Sequence, residues 1–268
     1  MTSNIVCVVG LKWREMCSLM SLPQPLIESF WHELASRYSE PHRHYHTLEH
    51  ILDMLEKRKE LQAMVTDHIS VDLAIFFHDV IYNPQSGSNE EDSAGLFKQL
   101  FVPLALPLVN ISKVDFYILA TKQHNVFQSN DEDLKLFIDI DMSILGSPLF
   151  SDSEFYPSDC CKNLSLPYSM YADRIRSEYC HIDDLTYCMS RAKFLKQVVD
   201  TTITMPPDTD TTAGAFKCDS DSPNPTESLK KLPIFASSVG FAKWEAKARE
   251  NILWEICQLD HRIHAMTL

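Results

Sequence analysis

The stretch AIFFHDVIY, residues 74–82, places a histidine and an aspartate side by side within an apolar run. Moving an unpaired carboxylate out of water is costly, so a hydrogen bond, an opposite charge or a metal ion must compensate Asp79. Apolar residues on all sides predict that the segment is central in the core. A run this short is compatible with a helix or a buried strand. The helical patterns on both sides favour a helix from Ser70 to Tyr82.

Amphipathic helical patterns extend outward from this run in both directions. Apolar residues at helical spacing predict one helix over residues 25–38 and another that begins near Thr47. Later helices are predicted to begin after Ser88, at Ser112, at Asp131 and after Pro167, and to cover residues 184–202 and 237–259. With only 6 glycines in 268 residues and few alternating apolar and polar runs, the predicted fold class is all-α.

One helical domain with an extension and an insert accounts for the length of the chain. The domain is predicted to comprise residues 25–202 together with residues 233–262, and residues 1–24 are assigned to an N-terminal extension. Residues 203–232 are rich in Pro, Thr, Ser and Asp and nearly free of large apolar side chains. That composition predicts a disordered insert, which would be available to a protein partner.

Composition and charge restrict the functional class. With 24 Lys and Arg residues against 37 Asp and Glu residues, the net charge of −13 argues against duplex nucleic acid or an anionic membrane as a partner. No apolar run is long enough to span a bilayer, and IVCVVGL (residues 5–11) reads as a packed segment rather than a signal peptide. Eight cysteines without a C-x-x-C pair predict reduced thiols and a cytoplasmic location.

A buried metal ion would require ligands at other positions where the helical pattern calls for apolar side chains. In DEDLKLFIDIDMSILG (residues 131–146) the apolar stripe is interrupted at Asp141, seven residues after Leu134 and four before Leu145. Periodicity therefore directs Asp141 at the core. Asp139 lies off the stripe and is expected to face outward or to support a ligand from behind.

A fourth candidate ligand lies in HRHYHTLEH, residues 42–50, which holds four histidines. His50 is predicted to lie on a helix, one turn after His46. A single histidine is more often a surface or hydrogen-bonded core residue than a ligand. Imidazole and carboxylate groups both bind first-row divalent metals, so His50 together with His78, Asp79 and Asp141 favours a metal site.

The order of these residues resembles the H…HD…D signature of the HD-domain superfamily of metal-dependent phosphohydrolases. The surrounding sequence is similar to the branch labelled predicted metal-dependent HD phosphohydrolase, in the blocks YHTLEHI (45–51), FFHDVIY (76–82), NEEDSA (89–94), ILATKQH (118–124), DIDMSILG (139–146), YADRIRSEY (171–179) and FAKWEAKAREN (241–251). The resemblance implies an HD-type helical bundle with a central metal site. The N-terminal residues and the insert depart from the family pattern.

The resemblance also implies ligands and an activity. His50, His78, Asp79 and Asp141 would bind a divalent metal ion, with Mn, Co, Ni, Fe, Zn and Mg as candidates. The implied activity is hydrolysis of a small phosphorylated metabolite or nucleotide, by attack of a metal-activated water on phosphorus. In this interpretation Asp79 belongs to the catalytic machinery as well as to the ligand set.

Phosphoryl hydrolysis also requires an acid or base near the metal. Glu90 and Glu91 follow the histidine–aspartate pair closely enough to be considered. Because Ser88 and Glu91 match a Ser-x-x-Glu capping box, Glu91 already has a structural role and Glu90 is the predicted catalytic residue.

Substrate phosphate requires positively charged or hydrogen-bonding side chains. Arg174 and Lys122 are predicted to bind it, since both lie in blocks similar to the family; the alternative for Arg174 is a surface pair with Glu178. His124 is predicted to contact substrate, with a second metal ion or the C-terminus of its helix as alternatives.

Two other functions are compatible with the same residues. A di-iron oxygenase on this fold would need further imidazoles, for which His46, His124 and His181 are the candidates. A non-catalytic scaffold would retain the metal as a structural element and recruit partners through residues 203–232.

Overall fold

The computed structural model describes residues 2–124, 126–150, 166–200, 202–204 and 229–268. Over these residues the chain is helical apart from one short two-stranded ribbon, which confirms the predicted all-α class. Ten α-helices are described: α1 (Thr2–Leu19), α2 (Gln24–Arg37), α3 (Leu48–Glu60), α4 (His68–Phe77), α5 (Asn89–Phe101), α6 (Ile111–Ala120), α7 (Glu132–Met142), α8 (Tyr168–Glu178), α9 (Asp184–Asp200) and α10 (Ser238–Thr267). Among the described helices, none is both long and apolar enough to cross a membrane.

Helix α4 is the centre of the bundle. It is buried nearly all round and packs against α3, α5, α6 and α7. Asp67 rather than Ser70 caps its N-terminus, accepting a hydrogen bond from the Ser70 N–H at 3.1 Å. The helix ends at Phe77, so the histidine–aspartate pair lies in the turn that follows and the prediction of a helix to Tyr82 is too long.

A buried arginine stabilises the turn that follows α4. The Arg43 guanidinium donates to the carbonyl oxygens of Asp79 and Val80, at 2.7 and 2.9 Å. It also donates to the carbonyl of His46 at 3.1 Å. These bonds satisfy carbonyl groups of the buried turn. Arg43 thereby joins the segment before α3 to the turn after α4.

Helix α1 is part of the core, although it lies in residues 1–24, which the sequence assigns to an extension. It packs against α2 and α3 and buries Val9, Trp13 and Met16 in the same apolar cluster as α4. The Trp13 indole donates to the carbonyl of Ile27 at 3.0 Å, and its ring lies 5.1 Å from that of Phe76. The boundary predicted at residue 24 does not separate two packing units.

Helix α10 begins against α7. Asp139 is 1% exposed and accepts the N–H groups of Ala236 and Ser237, at 2.8 and 2.7 Å. A Cβ atom at position 240 would collide with this carboxylate, so glycine is required there. The expectation that Asp139 faces outward is wrong, because its partners come from a segment almost a hundred residues later.

The ribbon lies at the two ends of the predicted insert. Strand β1 (Thr202–Thr204) pairs antiparallel with β2 (Leu229–Lys231). Residues 205–228 lie outside the described residues, so disorder and a protein partner there stay predictions.

Candidate metal centre

Three elements that pack together bring the four candidate ligands to one place. His50 lies on α3, His78 and Asp79 follow α4, and Asp141 lies in the last turn of α7. Helices α3, α4 and α7 contact one another pairwise. The two histidines are buried, whereas the Asp79 and Asp141 side chains are 18% and 12% exposed. The cluster therefore lies at the edge of the core, with its carboxylates nearest to solvent.

The nitrogen and oxygen atoms of this cluster are separated by distances typical of ligands on one ion. The Nε2 atoms of His50 and His78 are 3.3 Å apart, and the Asp141 Oδ1 atom is 3.2 and 3.6 Å from them. The Asp79 Oδ2 atom lies 3.0 Å from Nε2 of His78. Adjacent ligands that are each about 2.1 Å from a metal lie about 3 Å apart. His50, His78 and Asp79 thus form a cluster that could hold a metal ion, and their ligand atoms all lie within 4.8 Å of one another.

The two imidazoles are held differently. His78 donates from Nδ1 to the Ile75 carbonyl at 3.0 Å, which directs Nε2 into the cluster and matches the way metal-binding histidines are usually oriented. The Nδ1 atom of His50 is buried without a hydrogen-bond partner among the described residues. His50 is instead oriented by packing, with its ring 4.9 Å from that of Tyr45.

The electrostatic field of the cluster favours a positive charge. Burial raises the pKa of Asp79, but the combined effect of His78 and His46 is larger and in the opposite direction. The pKa of Asp79 is therefore below its ordinary value. Burial likewise raises the pKa of Asp141, while His124, His50 and His78 bring it well below its ordinary value. Among the described residues, the ion-pair partners of both aspartates are histidines, with no lysine or arginine. Two ionised carboxylates lie here without a permanent cation.

His124 lies beside this cluster. Its Nε2 atom donates to Oδ2 of Asp141 at 3.1 Å, on the opposite oxygen from the one that faces His50. The residue has a φ of 52°, in the left-handed region that side chains other than glycine rarely adopt. This backbone strain is compatible with a functional constraint on the position of the ring.

The other predicted site residues lie outside the ligand cluster. Ser88 is the N-cap of α5 but makes no capping bond, and Glu91 pairs with Lys122 at 2.5 Å, so the predicted capping box is wrong. Glu90, half-buried in the first turn of α5, makes no hydrogen bond to the four candidates within the described chain.

Both predicted phosphate-binding cations contact carboxylates. Arg174 pairs with Glu49 at 2.5 Å rather than with Glu178. Lys122 donates to the Gly87 carbonyl at 2.7 Å in addition to its pair with Glu91. Their role in phosphate binding, and that of Glu90 in catalysis, stay predictions.

Glu178 is a site residue that the sequence reasoning missed. Its buried carboxylate accepts hydrogen bonds on Oε1 from three successive backbone N–H groups, those of residues 44–46, at 2.7–3.0 Å. Oε2 accepts from His46 Nδ1 at 2.7 Å and from the Tyr82 hydroxyl at 2.8 Å. Burial alone would raise the pKa of Glu178, but these donors lower it to about 2. A signal was present, since Glu178 lies seven residues after Tyr171 on the apolar stripe of α8.

The comparisons with known proteins add no identity to this geometry. No protein-family model, curated protein or solved structure matches the chain. The HD-type bundle implied by the sequence blocks therefore stays a prediction, beside an all-helical fold and a cluster that could hold a metal.

Proposed function

We propose that this protein is a metal-dependent phosphohydrolase of the HD type that acts on a small phosphorylated metabolite or nucleotide. One observation carries the proposal: four imidazole and carboxylate groups from α3, α7 and the turn after α4 lie together, and among the described residues the two carboxylates have no lysine or arginine partner. Burial lowers the pKa values of His78 and His46, but Asp79 and the other nearby carboxylates raise both above the ordinary value, so protonated imidazoles can balance this charge when no metal is bound. A divalent cation would match the charge of the two carboxylates.

The donor set fits such an ion. His50 and His78 would supply nitrogen, and Asp79 and Asp141 would supply oxygen, a mixture that suits Mn, Co, Ni, Fe or Zn, and Mg less well. When bound, the ion would supply a Lewis acid that lowers the pKa of an attacking water and offsets charge on the phosphoryl group.

The residues of the chain orient and isolate the reacting groups. The partly exposed aspartates leave one side of the cluster open to substrate, and Phe137 covers another, with its ring 6.0 Å from that of His78. Low polarity on that side strengthens electrostatic interactions within the site. His124 holds the Asp141 carboxylate in place. Arg174, Lys122 and Glu90 remain the proposed substrate-binding and acid–base residues.

The first experiment is metal analysis of the purified protein, followed by metal titration of the depleted protein. We expect about one divalent ion per chain and a rise in melting temperature with Mn, Co or Ni. A panel of phosphate monoesters and nucleotides is then tested with wild type, Asp79→Ala and the surface control Asp260→Ala. Loss of both metal and turnover in Asp79→Ala alone supports the proposal. A wild type that binds metal but hydrolyses no member of the panel would favour the scaffold function.

A di-iron oxygenase is a second candidate, because two further imidazoles lie near the carboxylates. His124 Nε2 is 3.1 Å from Asp141, and His46 Nε2 is 3.9 Å from Asp79. His181, the third candidate, is exposed and stacks near Tyr179. Anaerobic loading with iron and a spectroscopic search for a coupled pair of ions separates this function from hydrolysis.

A further inference from the structure

The Glu178 carboxylate makes more hydrogen bonds than loop packing requires. It holds the backbone of residues 44–46 through three N–H groups and still binds two side chains, His46 and Tyr82. The backbone bonds hold the loop, whereas the bond to Nδ1 fixes the orientation of a ring. The arrangement therefore fixes both the place and the orientation of one imidazole.

That imidazole faces the candidate metal centre. With Nδ1 of His46 bound to Glu178, Nε2 points toward Asp79 and lies 3.9 Å from its Oδ2 atom. This distance is too long for a hydrogen bond. The ring is held on its sides by Tyr45 and Tyr82, with centroids 5.0 and 4.3 Å away. It therefore has little freedom to rotate toward Asp79.

The position of His46 differs from that of the ligand histidines. Its ring lies 6.1 Å from that of His50, whereas the rings of His50 and His78 are 5.4 Å apart. Its side chain is 19% exposed, compared with 2% for His50 and 1% for His78. Of the three histidines, His46 is thus the most accessible from solvent, and the two aspartates are accessible too.

We propose that His46 contacts the phosphoryl group of the substrate through Nε2, and that Glu178 is the residue that positions it. The inference rests on the proposed hydrolase function and adds a substrate contact to it. Phosphate oxygens held beside Asp79 would meet the one nitrogen of His46 that Glu178 does not engage. Glu178 acts through this ring, without touching the substrate.

The variants separate these roles because amides imitate single imidazole nitrogens. In His46→Asn the amide nitrogen approximates Nδ1 and can still bind Glu178, but Nε2 is absent. In His46→Gln the amide nitrogen lies nearer to the position of Nε2. In Glu178→Gln the amide oxygen can still accept backbone N–H groups, whereas the amide nitrogen cannot accept from His46. Asp260→Asn, an exposed carboxylate paired with Lys196, is the surface control.

The experiment measures metal content, the affinity of Mn²⁺-loaded protein for inorganic phosphate by calorimetry, and kcat/KM on the best monoester of the panel. We expect His46→Asn to keep its metal while phosphate affinity and kcat/KM each fall about 10- to 100-fold. His46→Gln should recover part of the phosphate affinity. If Glu178 acts through His46, the double variant His46→Asn/Glu178→Gln should have the same kcat/KM as His46→Asn, whereas independent roles would give the product of the two losses.

The outcomes that overturn the inference are distinct from those that overturn the function. Wild type that binds neither metal nor phosphate would remove the proposed function and this inference with it. Loss of metal in His46→Asn would make His46 a ligand rather than a substrate contact. Unchanged phosphate affinity and kcat/KM in a metal-loaded His46→Asn, beside an active wild type, would overturn the inference alone.

Discussion

Two buried polar clusters in this protein balance their charge in different ways. In the first, Asp79 and Asp141 face imidazoles at the edge of the core. In the second, between α9 and α10, Arg191 binds the Glu255 carboxylate through two bonds of 2.9 and 3.2 Å, and the Tyr168 hydroxyl donates to it at 2.5 Å. The second cluster is as deeply buried, with Arg191 and Glu255 side chains 11% and 5% exposed.

The comparison separates a structural ion pair from a candidate site. Arg191 and Glu255 carry one charge each and sum to zero, so their cluster is complete within the chain. The aspartate pair carries two negative charges and has only titratable neighbours among the described residues. Burial of charge is therefore a weak indicator of function by itself. Buried carboxylates whose ion-pair partners among the described residues are all imidazoles are a stronger one, because a metal ion can take the place of the imidazole protons.

Removal of the Asp141 charge is expected to have the largest effect on function. Asp141→Asn keeps the size of the side chain but removes a ligand oxygen that carries charge, so metal affinity should fall by more than about 100-fold. Calorimetric titration with Mn²⁺ measures this loss. Glu255→Gln is the matched control, because it neutralises an equally buried carboxylate, and it should bind metal as wild type does. Equal losses in both variants would contradict the distinction between the clusters.

The same Glu255→Gln variant is expected to be strongly destabilised. It leaves the Arg191 guanidinium buried beside a neutral amide, and breaking a buried pair in this way costs about 3–5 kcal/mol. Denaturant unfolding measures the free energy. The double variant Arg191→Met/Glu255→Leu should regain most of the loss, since apolar residues of similar size remove both charges together. If the double variant is as unstable as Glu255→Gln, other groups besides Arg191 and Glu255 take part in the charge balance of this cluster.

Glu178→Gln is expected to have a smaller effect on the free energy of unfolding. Neutral donors and His46 stabilise the Glu178 carboxylate in the folded protein. Its folded-state pKa of about 2 lies below the ordinary value of 4.5. Its contribution to stability is therefore fully present above about pH 4.5 and is lost as the pH falls toward 2. The difference between the pKa values of about 2 and 4.5 corresponds to about 3 kcal/mol of unfolding free energy. The gap in unfolding free energy between wild type and Glu178→Gln should close over that interval, and a gap independent of pH would contradict the assignment.

Local periodicity predicts much of the site. An aspartate at an apolar position of a helical stripe directed Asp141 to the cluster, and His78 and Asp79 were selected by an apolar run around them. The same rule applied to α8 selects Glu178, which lies seven residues after Tyr171. Most of the candidate ligand geometry is therefore encoded in short segments.

The remaining features depend on contacts that are distant in sequence. Arg43 binds carbonyls of the turn after α4, more than thirty residues away, and Asp139 is buried by the start of α10. Trp13 belongs to the core because α4 offers it an aromatic surface. Periodicity within one segment carries no information about such partners.

The antiparallel ribbon has a practical consequence. Thr204 and Leu229 are register partners, so the chain leaves the helical body and returns to it at neighbouring points. A change in length between such adjacent points adds little to the entropy of closing the loop. We expect the helices on either side to keep their positions if the segment between Thr204 and Leu229 is shortened or replaced by a fluorescent or affinity module. This part of the molecule is thus a natural place to attach a reporter while keeping the register of the ribbon.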